Sequence, residues 1–238
     1  MTLDPRLFAD GPARDERFTV REVWSEMTNL PDDDPRAMAE FLHRQMNEEV
    51  NGLEIAARNL SEFPEADWEL RLCIARQCAD EARHVDMFRR CMEARGGRVG
   101  DHPILNFQYR ITTRIESLLG RLAVQNRSFE AAGIDAIQDG IREARQAGSE
   151  DLVELLDTQL ADEVQHVRYA NEWVKRLVER GGPEATFKMV RAVSQADAAM
   201  RLVAGEALTS YPVAEDIRLE AGFEPGEIEA VKGSLKRA

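Results

Sequence analysis

The sequence predicts an all-α fold made of long helices, and three observations lead to this prediction. The composition favours helices, because alanine, leucine, arginine and glutamate are abundant while aromatic residues account for only 6% of the chain. Apolar residues recur at helical spacing over long segments, and no segment shows the alternation typical of a half-buried strand. Helix-stopping glycine and proline residues fall between these segments. A chain of 238 residues can bury one sizeable core, so we expect a single domain.

The predicted domain has three parts. Residues 1–33 are polar and irregular, and we expect them to form an N-terminal cover. Residues 34–181 are expected to form a bundle of four long helices. Residues 183–238 are expected to add accessory C-terminal helices, the first of which runs roughly from Pro183 to Leu208.

Start and stop signals bound the bundle helices. Asp34 followed by Pro35 is typical of a helix N-terminus, and Gly96-Gly97 and Gly181-Gly182 are typical of helix C-termini. The predicted helices run from about Pro35, with Asp34 as N-cap, to about Ser61, from after Phe63-Pro64 to Arg95, from Ile104 to Gly133 with a shorter helix from Ile134 to Ala147, and from the cap Ser149 to Gly181-Gly182.

Charge and hydropathy disfavour several classes of protein. The net charge of −13 opposes binding to nucleic acid, because that binding depends on Lys and Arg side chains that neutralise phosphates. No run of 18 apolar residues predicts a membrane helix, and the N-terminus lacks the pattern of a secretory signal. Cys73, Cys78 and Cys91 show no CxxC spacing. We interpret them as free thiols in a reducing cytosol, which predicts a cytoplasmic protein.

A DExxH motif occurs twice. The second predicted helix contains it at residues 80–84, and the fourth contains it at residues 162–166. In each copy the glutamate and the histidine are three residues apart, on one face of the helix, where both can bind one metal ion. A single ExxH arises by chance in helices rich in glutamate. Two copies, 82 residues apart, indicate an internal repeat, which solvated helix faces paired with nearby arginines would not explain.

Each motif also has a glutamate on the preceding helix, as expected for a two-metal bundle. Glu49 lies 32 residues before Glu81, and Glu130 lies 33 residues before Glu163. Glu49 falls on the apolar stripe of its helix, where a buried carboxylate costs several kcal/mol unless a metal or cation compensates it. Glu48 on the first helix and Glu116 on the third remain alternatives.

The chemistry of this set predicts a pair of metal ions. Four glutamates carry four negative charges, which two divalent ions balance, and two histidines supply one neutral nitrogen to each metal. Mixed carboxylate and imidazole donors favour iron or manganese over calcium or thiolate-bound zinc. Asp80 and Asp162 are expected to accept the free ring N–H of a ligating histidine, with the histidine of the opposite repeat as one option. The predicted ligands are Glu49, Glu81, His84, Glu130, Glu163 and His166.

With these motifs, the chain resembles the ferritin-like superfamily of carboxylate-bridged di-iron proteins, and more closely a poorly characterised bacterial ferritin-like family of unknown function. The resemblance rests on the stretches EVNGLEIAARNL, ADEARHVDMFRRCMEARGG, RLAVQNRSFEAAGIDAI, LADEVQHVRYANEWV and IRLEAGFEPGEIEAV. They cover most of the chain from about residue 40 to residue 232 and match the six predicted ligands to the family's metal-binding positions. The resemblance implies a ferritin-like four-helix bundle and a non-haem di-iron centre. It implies no substrate, because oxygenases, oxidases, radical generators and iron stores share this fold.

The leading functional hypothesis is an enzyme that uses two iron ions, or a manganese–iron pair, and O2 to hydroxylate, N-oxygenate or otherwise oxidise a small organic substrate, such as one of secondary metabolism. Electrons would come from the substrate or from a partner reductase or ferredoxin, because no flavin or nicotinamide motif is visible. Met46, Cys78 and Tyr169 each lie three residues from a predicted ligand and are candidates to line a substrate pocket, although such residues more often pack in a core.

Three alternatives use the same motifs differently. A tRNA-modifying hydroxylase would need a local basic face, for which Arg83, Arg89, Arg90, Arg95 and Arg98 are the candidates. A ferroxidase or iron-storage protein would assemble into large particles, which the N- and C-terminal extensions would obstruct. A helical binding module with a vestigial site would bind no metal. The oligomeric state stays open, with a homodimer as one option.

Overall fold

Four long helical segments share one interior in the computed structural model, which describes residues 15–31, 33–205 and 211–235. The elements are β1 (Val20–Arg21), a 3-10 turn (Trp24–Glu26), α1 (Ala37–Glu62), α2 (Trp68–Ala94), β2 (Ile104–Leu105), α3 (Phe107–Thr113), α4 (Leu118–Val124), a π-helical segment (Gln125–Glu130), α5 (Ala131–Ala147), α6 (Glu150–Ala204), α7 (Glu215–Glu220) and α8 (Pro225–Leu235). The all-α prediction is confirmed. In the described ranges the strands amount to one two-residue parallel pair, between β1 and β2.

The interior has two apolar clusters, one toward each end of the bundle. α1, α2, α5 and α6 contribute to the first cluster, which contains Leu42, Met46, Phe88, Met92, Ile137, Ile141, Leu152 and Leu156. α1, α2, α4 and α6 contribute to the second cluster, which contains Ala56, Leu70, Ile74, Leu118, Leu122, Ala170, Trp173 and Val174. On each of the four helical segments a buried glutamate lies in sequence between residues of the two clusters. A polar layer therefore crosses the bundle between two apolar halves.

The third predicted helix is wrong in its boundaries. Ile104 and Leu105 are not helical but pair with β1, and the chain leaves the helical conformation again between Thr113 and Leu118. Ser117 ends this break, because its side chain accepts the backbone N–H of Gly120 and caps the new helix. From Leu118 the helical path continues to Ala147 without the break predicted after Gly133.

The other predicted helix ends agree with the structure within a few residues. α1 begins at Ala37 rather than near Pro35, and its N-cap is Arg36 rather than Asp34, whose carboxylate accepts the backbone N–H of Arg36 in the turn before the helix. The fourth bundle helix ends at Gly181-Gly182, as predicted, although α6 as a whole continues to Ala204. Gly182 adopts φ 63° and ψ −151°, and the helix resumes at Pro183 after this kink. We call residues 183–204 the α6 arm.

The C-terminal elements are tied to α5. The Arg218 guanidinium of α7 forms a buried ion pair with Asp135, with Nη2 and Oδ2 2.7 Å apart. Ala221, Phe223 and Ile228 complete this contact as part of an apolar cluster with Ile134. The predicted N-terminal cover falls partly, and the predicted helix end at Leu208 wholly, outside the described residues.

In the described ranges, none of the helices combines the length and the apolar character needed to cross a membrane.

Candidate metal centre

The polar layer brings all six predicted metal ligands together. Each of the six side chains is at most 9% exposed. Their donor atoms form two overlapping groups, within which the atoms lie no more than 4.8 Å apart. The first group is Glu49, Glu81, His84 and Glu163, and the second is Glu81, Glu130 and His166. Glu48 and Glu116, the alternatives, lie in neither group.

His84 directs its Nδ1 atom toward three carboxylates. Nδ1 lies 3.0 Å from Glu49 Oε2, 3.5 Å from Glu81 Oε2 and 3.8 Å from Glu163 Oε1. The imidazole is completely buried. One nitrogen therefore faces oxygen atoms that come from three different helices.

His166 repeats this arrangement on the other side of the layer. Its Nδ1 atom lies 3.6 Å from Glu81 Oε1 and 3.5 Å from Glu163 Oε2, and Glu130 completes the group. The two imidazole rings are 6.3 Å apart between centroids. Glu81 and Glu163 thus each direct one oxygen toward His84 and the other toward His166. Glu49, in contrast, faces His84, and Glu130 faces His166.

The second ring nitrogen of each histidine meets the aspartate of the opposite repeat. His84 Nε2 lies 3.0 Å from Asp162 Oδ2, and His166 Nε2 lies 3.4 Å from Asp80 Oδ2. Arg83 contacts both aspartates. An Nε2–H that donates to an aspartate leaves Nδ1 without a proton, which is the tautomer that a metal ion on the inner side requires.

Two glutamines belong to this layer and were missed by the sequence analysis. Gln159 Nε2 donates to Glu49 Oε1 at 2.8 Å, and Gln77 Nε2 donates to Glu130 Oε1 at 2.6 Å. Each glutamine thus forms a hydrogen bond with a glutamate of the opposite hairpin, and that glutamate faces one histidine rather than both. The signal was available, because the repeat extends three residues further toward the N-terminus than the DExxH motif. QCADEARH at 77–84 matches QLADEVQH at 159–166 at five of eight positions.

The π-helical segment makes the surroundings of Glu130 different from those of Glu49. Asn126 Nδ2 donates to Glu130 Oε2 at 2.7 Å, and Gln125 Nε2 approaches Glu130 Oε1 at 3.4 Å. Together with Gln77, three amides therefore donate to this one carboxylate. Ser128 Oγ donates to the carbonyl of Ala123 and satisfies an acceptor in the widened turn.

Burial and mutual repulsion shift the titration of the carboxylates. Burial, with the neighbouring charges of Glu81 and Glu163, raises the pKa of Glu49 well above its ordinary value. Burial and the charge of Glu163 raise the pKa of Glu130 to about 8, and burial with the charge of Glu81 raises the pKa of Glu163. Burial would raise the pKa of Glu81 too, but the contacts with His84 and His166 outweigh it and lower that pKa.

The imidazoles shift in the opposite sense to that expected from burial. Desolvation would lower the pKa of His84, but the carboxylates of Glu49 and Glu81 outweigh it and raise that pKa to about 11. Desolvation would also lower the pKa of His166, but the carboxylates of Asp80 and Glu163 outweigh it and raise that pKa well above its ordinary value. Without metal, carboxylates and imidazoles of the layer therefore hold protons, and the same groups are suited to binding metal.

Gly52 makes room for Glu81. A Cβ atom at position 52 would lie 2.9 Å from Glu81 Oε1 and 3.0 Å from Glu81 Cδ. Gly52 is on the helix turn after Glu49. The absence of a side chain on α1 thus allows the α2 carboxylate to lie in the layer.

The three predicted pocket residues have different surroundings. Met46 is buried in the first apolar cluster, and Cys78 packs at the edge of the second. Tyr169 lies beside the layer, where its hydroxyl donates to Gln77 Oε1 at 2.5 Å. Burial, with the charge of Glu130, raises the pKa of Tyr169 well above its ordinary value. Met46 and Cys78 thus pack as core residues, whereas Tyr169 joins the hydrogen bonds of the site.

The predicted basic face is largely neutralised by acidic neighbours. Arg83 pairs with Asp80 and Asp162, and Arg95 pairs with Asp151. Arg89 and Arg90 both pair with Asp86. These pairs leave little free positive charge for a nucleic-acid backbone on this side of α2.

Comparison with known proteins places the chain in a family. It matches the model of the family described as "Protein of unknown function (DUF455)" over residues 4–229 and belongs to that family. No curated protein and no solved structure gives a significant match. The family is consistent with the resemblance to a group of unknown function, while membership in the ferritin-like superfamily stays a prediction.

Proposed function

We propose that this member of the family binds two metal ions, with iron as the expected metal, and is an oxidoreductase that uses O2 to oxidise a small organic substrate. One observation carries the proposal. Two buried histidines each face three carboxylates, and the same two glutamates divide their oxygen atoms between both histidines. Two ions held by shared carboxylates require such a division.

The residues of the layer fit a pair of divalent ions. His166 Nδ1 and Glu163 Oε2 are buried and make no hydrogen bond, although buried polar atoms normally have a partner. Of the described Lys and Arg side chains, none forms an ion pair with the four glutamates of the layer, so without metal the two histidines are the basic groups that face these carboxylates. Metal ions would supply both the missing partners and the missing charge.

In this proposal all six residues would hold the two ions, with Glu49 on the side of His84, Glu130 on the side of His166, and Glu81 and Glu163 facing both histidines. When bound, such an iron pair supplies the electrons and open coordination positions with which O2 is activated. For a hydroxylation, one oxygen atom of O2 enters the substrate and the other leaves as water. The balance requires two electrons and two protons, for which a reductase or ferredoxin is the expected source.

The residues around the six ligands have distinct tasks. Asp162 and Asp80 hold a proton on Nε2 of His84 and His166 and keep Nδ1 free to bind. Gln77 and Gln159 orient the carboxylates of Glu130 and Glu49 across the bundle. The two apolar clusters above and below the layer exclude bulk water, which strengthens electrostatic interactions inside it.

Metal binding tests the proposal directly. Anaerobic loading with Fe2+ followed by desalting and metal analysis should give two equivalents for the wild type. Glu81→Ala and His166→Ala should lose bound iron, because each removes a donor that faces the shared region. Glu172→Ala is the matched control, since Glu172 is an exposed acid of the same helix as His166.

Two outcomes would contradict the proposal. If the Glu81→Ala and His166→Ala variants still hold two iron equivalents, the layer is not the metal site. If the iron-loaded wild type neither consumes O2 nor changes its optical spectrum in air, it is not an O2-dependent oxidoreductase. Gel filtration separates the iron-storage alternative, which requires large particles.

A further inference from the structure

A groove of about 630 Å³ lies between the α6 arm and the connection that joins α3 to α4. This volume falls within the range of pockets that bind small molecules. Ile111, Ile115, Ala192 and Ala196 contribute its apolar part. The groove is separate from the layer of glutamates and histidines, and it exists because the kink at Gly182 places the arm here.

The apolar part of the groove belongs to the same packing unit as the helix that carries Glu130. Ala192 and Ala196 form a cluster with Val124 and Phe129, of which Phe129 directly precedes Glu130 in the chain. The arm lies close to this helix, because a Cβ atom at Gly120 would come within 3.2 Å of Ala192 Cβ. The floor of the groove is therefore formed by side chains that pack against the helix that carries Glu130.

The rim of the groove carries positive charge. Arg114, Lys188 and Arg191 line it, together with a single acid, Glu116. Lys188 pairs with Glu184 at 2.7 Å. Within the part of the chain that the structure describes, Arg114 and Arg191 form no ion pair with a carboxylate. These guanidinium groups therefore contribute positive charge to the rim, in a protein whose net charge is −13.

A line of hydrogen bonds connects the wall of the groove with the metal centre. Thr112, the neighbour of Ile111 on α3, donates from Oγ1 to Gln125 Oε1 at 3.3 Å. Gln125 in turn approaches Glu130 Oε1 at 3.4 Å through its amide nitrogen. An event in the groove thus has a short path of contacts to one of the two predicted metal positions.

We propose that this groove binds a small organic anion, a carboxylate on an apolar chain, and that such anions are the substrate class of the metal centre. The guanidinium groups of Arg114 and Arg191 bind the carboxylate, for which their planar geometry is suited, and the apolar floor binds the chain. The binding site stands on the groove alone, whereas its role in supplying substrate rests on the proposed function.

Decanoate is a suitable probe, because it combines a carboxylate with an unbranched apolar chain. Its affinity for the metal-free protein, measured by calorimetry below the micellar concentration, should fall about tenfold or more in the double variant Arg114→Gln/Arg191→Gln. Decan-1-ol lacks the charge and should bind the wild type and the double variant equally. Arg201→Gln, on the same arm but outside the groove lining, is the matched control and should leave decanoate binding unchanged.

A second variant and a second readout complete the test. Ala199→Trp fills the groove from the arm and should abolish the binding of both probes. In protein loaded with Co2+, decanoate should change the visible ligand-field bands in the wild type but not in the double variant. Failure of the wild type to bind decanoate, or equal binding by wild type and double variant, overturns the proposal.

The two proposals fail in different ways. Decanoate binding without any effect on the cobalt bands would refute the link between groove and metal centre. Normal metal loading without decanoate binding would refute the groove as a binding site but would not affect the proposed function. Specific decanoate binding by a protein that takes up no metal would support the groove as a binding site and overturn the proposed function.

Discussion

At the scale of single residues, the site depends on groups that leave space or fix a proton rather than on the six predicted ligands alone. Gly52 lets the Glu81 carboxylate lie against α1, and Asp162 orients the ring of His84. Neither residue belongs to the six predicted ligands. We expect each to affect metal binding through a different physical effect, and each can be tested separately.

Gly52→Ala should weaken metal binding while stabilising the helix that carries it. Alanine favours a helix over glycine by about 1 kcal/mol, but its Cβ would collide with the Glu81 carboxylate. We expect metal-free protein of unchanged or higher thermal stability that binds fewer than two equivalents. Gly133→Ala is the control, because a Cβ at Gly133 meets no atom within 4 Å and the variant should bind metal normally. Full metal loading of Gly52→Ala would show that the carboxylate has room to move.

Asp162→Asn should reduce metal affinity by about 10- to 100-fold, the usual effect of removing the carboxylate partner of a metal-bound histidine. The amide can donate to Nε2, which favours the tautomer with the proton on Nδ1, where the metal should bind. Competition with a chromophoric chelator measures the affinity. Asp157→Asn, an exposed position on the same helix, is the matched control. Equal affinities in the two variants would speak against the role assigned to Asp162.

At the scale of elements, the segment around Gly100 is held to α1 by a buried histidine. His43 is completely buried, and its Nε2 accepts the backbone N–H of Gly100 at 2.9 Å. Burial and the nearby His102 lower the pKa of His43 from 6.5 to about 4. The neutral ring is therefore part of the contact between α1 and the segment that leads to β2.

This contact predicts a loss of stability in weak acid. Between pH 6.5 and pH 4 the unfolded chain binds the proton that folded His43 excludes, so stability falls as the pH decreases. From the shift in pKa we expect a loss of about 2 kcal/mol at pH 5 relative to pH 7.5. Urea unfolding at the two pH values should show this loss in the wild type but not in His43→Gln, which can accept the same N–H without titrating. An equal pH dependence in both proteins would contradict the prediction.

At the scale of the whole molecule, the contacts in the polar layer relate the two halves of the bundle by approximate two-fold symmetry. His84–Asp162 mirrors His166–Asp80, and Gln159–Glu49 mirrors Gln77–Glu130. These contacts cross from one hairpin to the other. The layer therefore joins the two halves, and without metal it concentrates four carboxylates where they repel one another.

Metal removal should consequently destabilise the entire fold. Each ion that binds only the folded chain stabilises it by about 2.7 kcal/mol when free metal is 100 times its dissociation constant. For a domain of this size, each ion therefore corresponds to a rise in Tm of about 5–10 °C. Scanning calorimetry of metal-loaded protein with and without chelator measures the difference. Glu81→Ala should show none, and an unchanged Tm of the wild type would argue against a metal that joins the two hairpins.

Several features were accessible to the sequence because they depend on local spacing. An ExxH spacing places two side chains on one face of any helix, and its duplication at residues 81–84 and 163–166 indicated one site made by two hairpins. The apolar stripe around Glu49 likewise distinguished this residue from Glu48. The all-α fold followed from composition and periodicity, which also act locally.

The tertiary structure alone decided which groups meet across helices. The π-helical turn, the pairing of each glutamine with the opposite glutamate, and the space that Gly52 leaves for Glu81 all depend on the distance and rotation between helices. The same holds for β2, since Ile104 and Leu105 pair with β1 more than 80 residues away in the chain. Residue spacing determines which side chains share a face of a helix, but packing determines what that face contacts. The rotation and distance of two helices are set by all the side chains that lie between these helices.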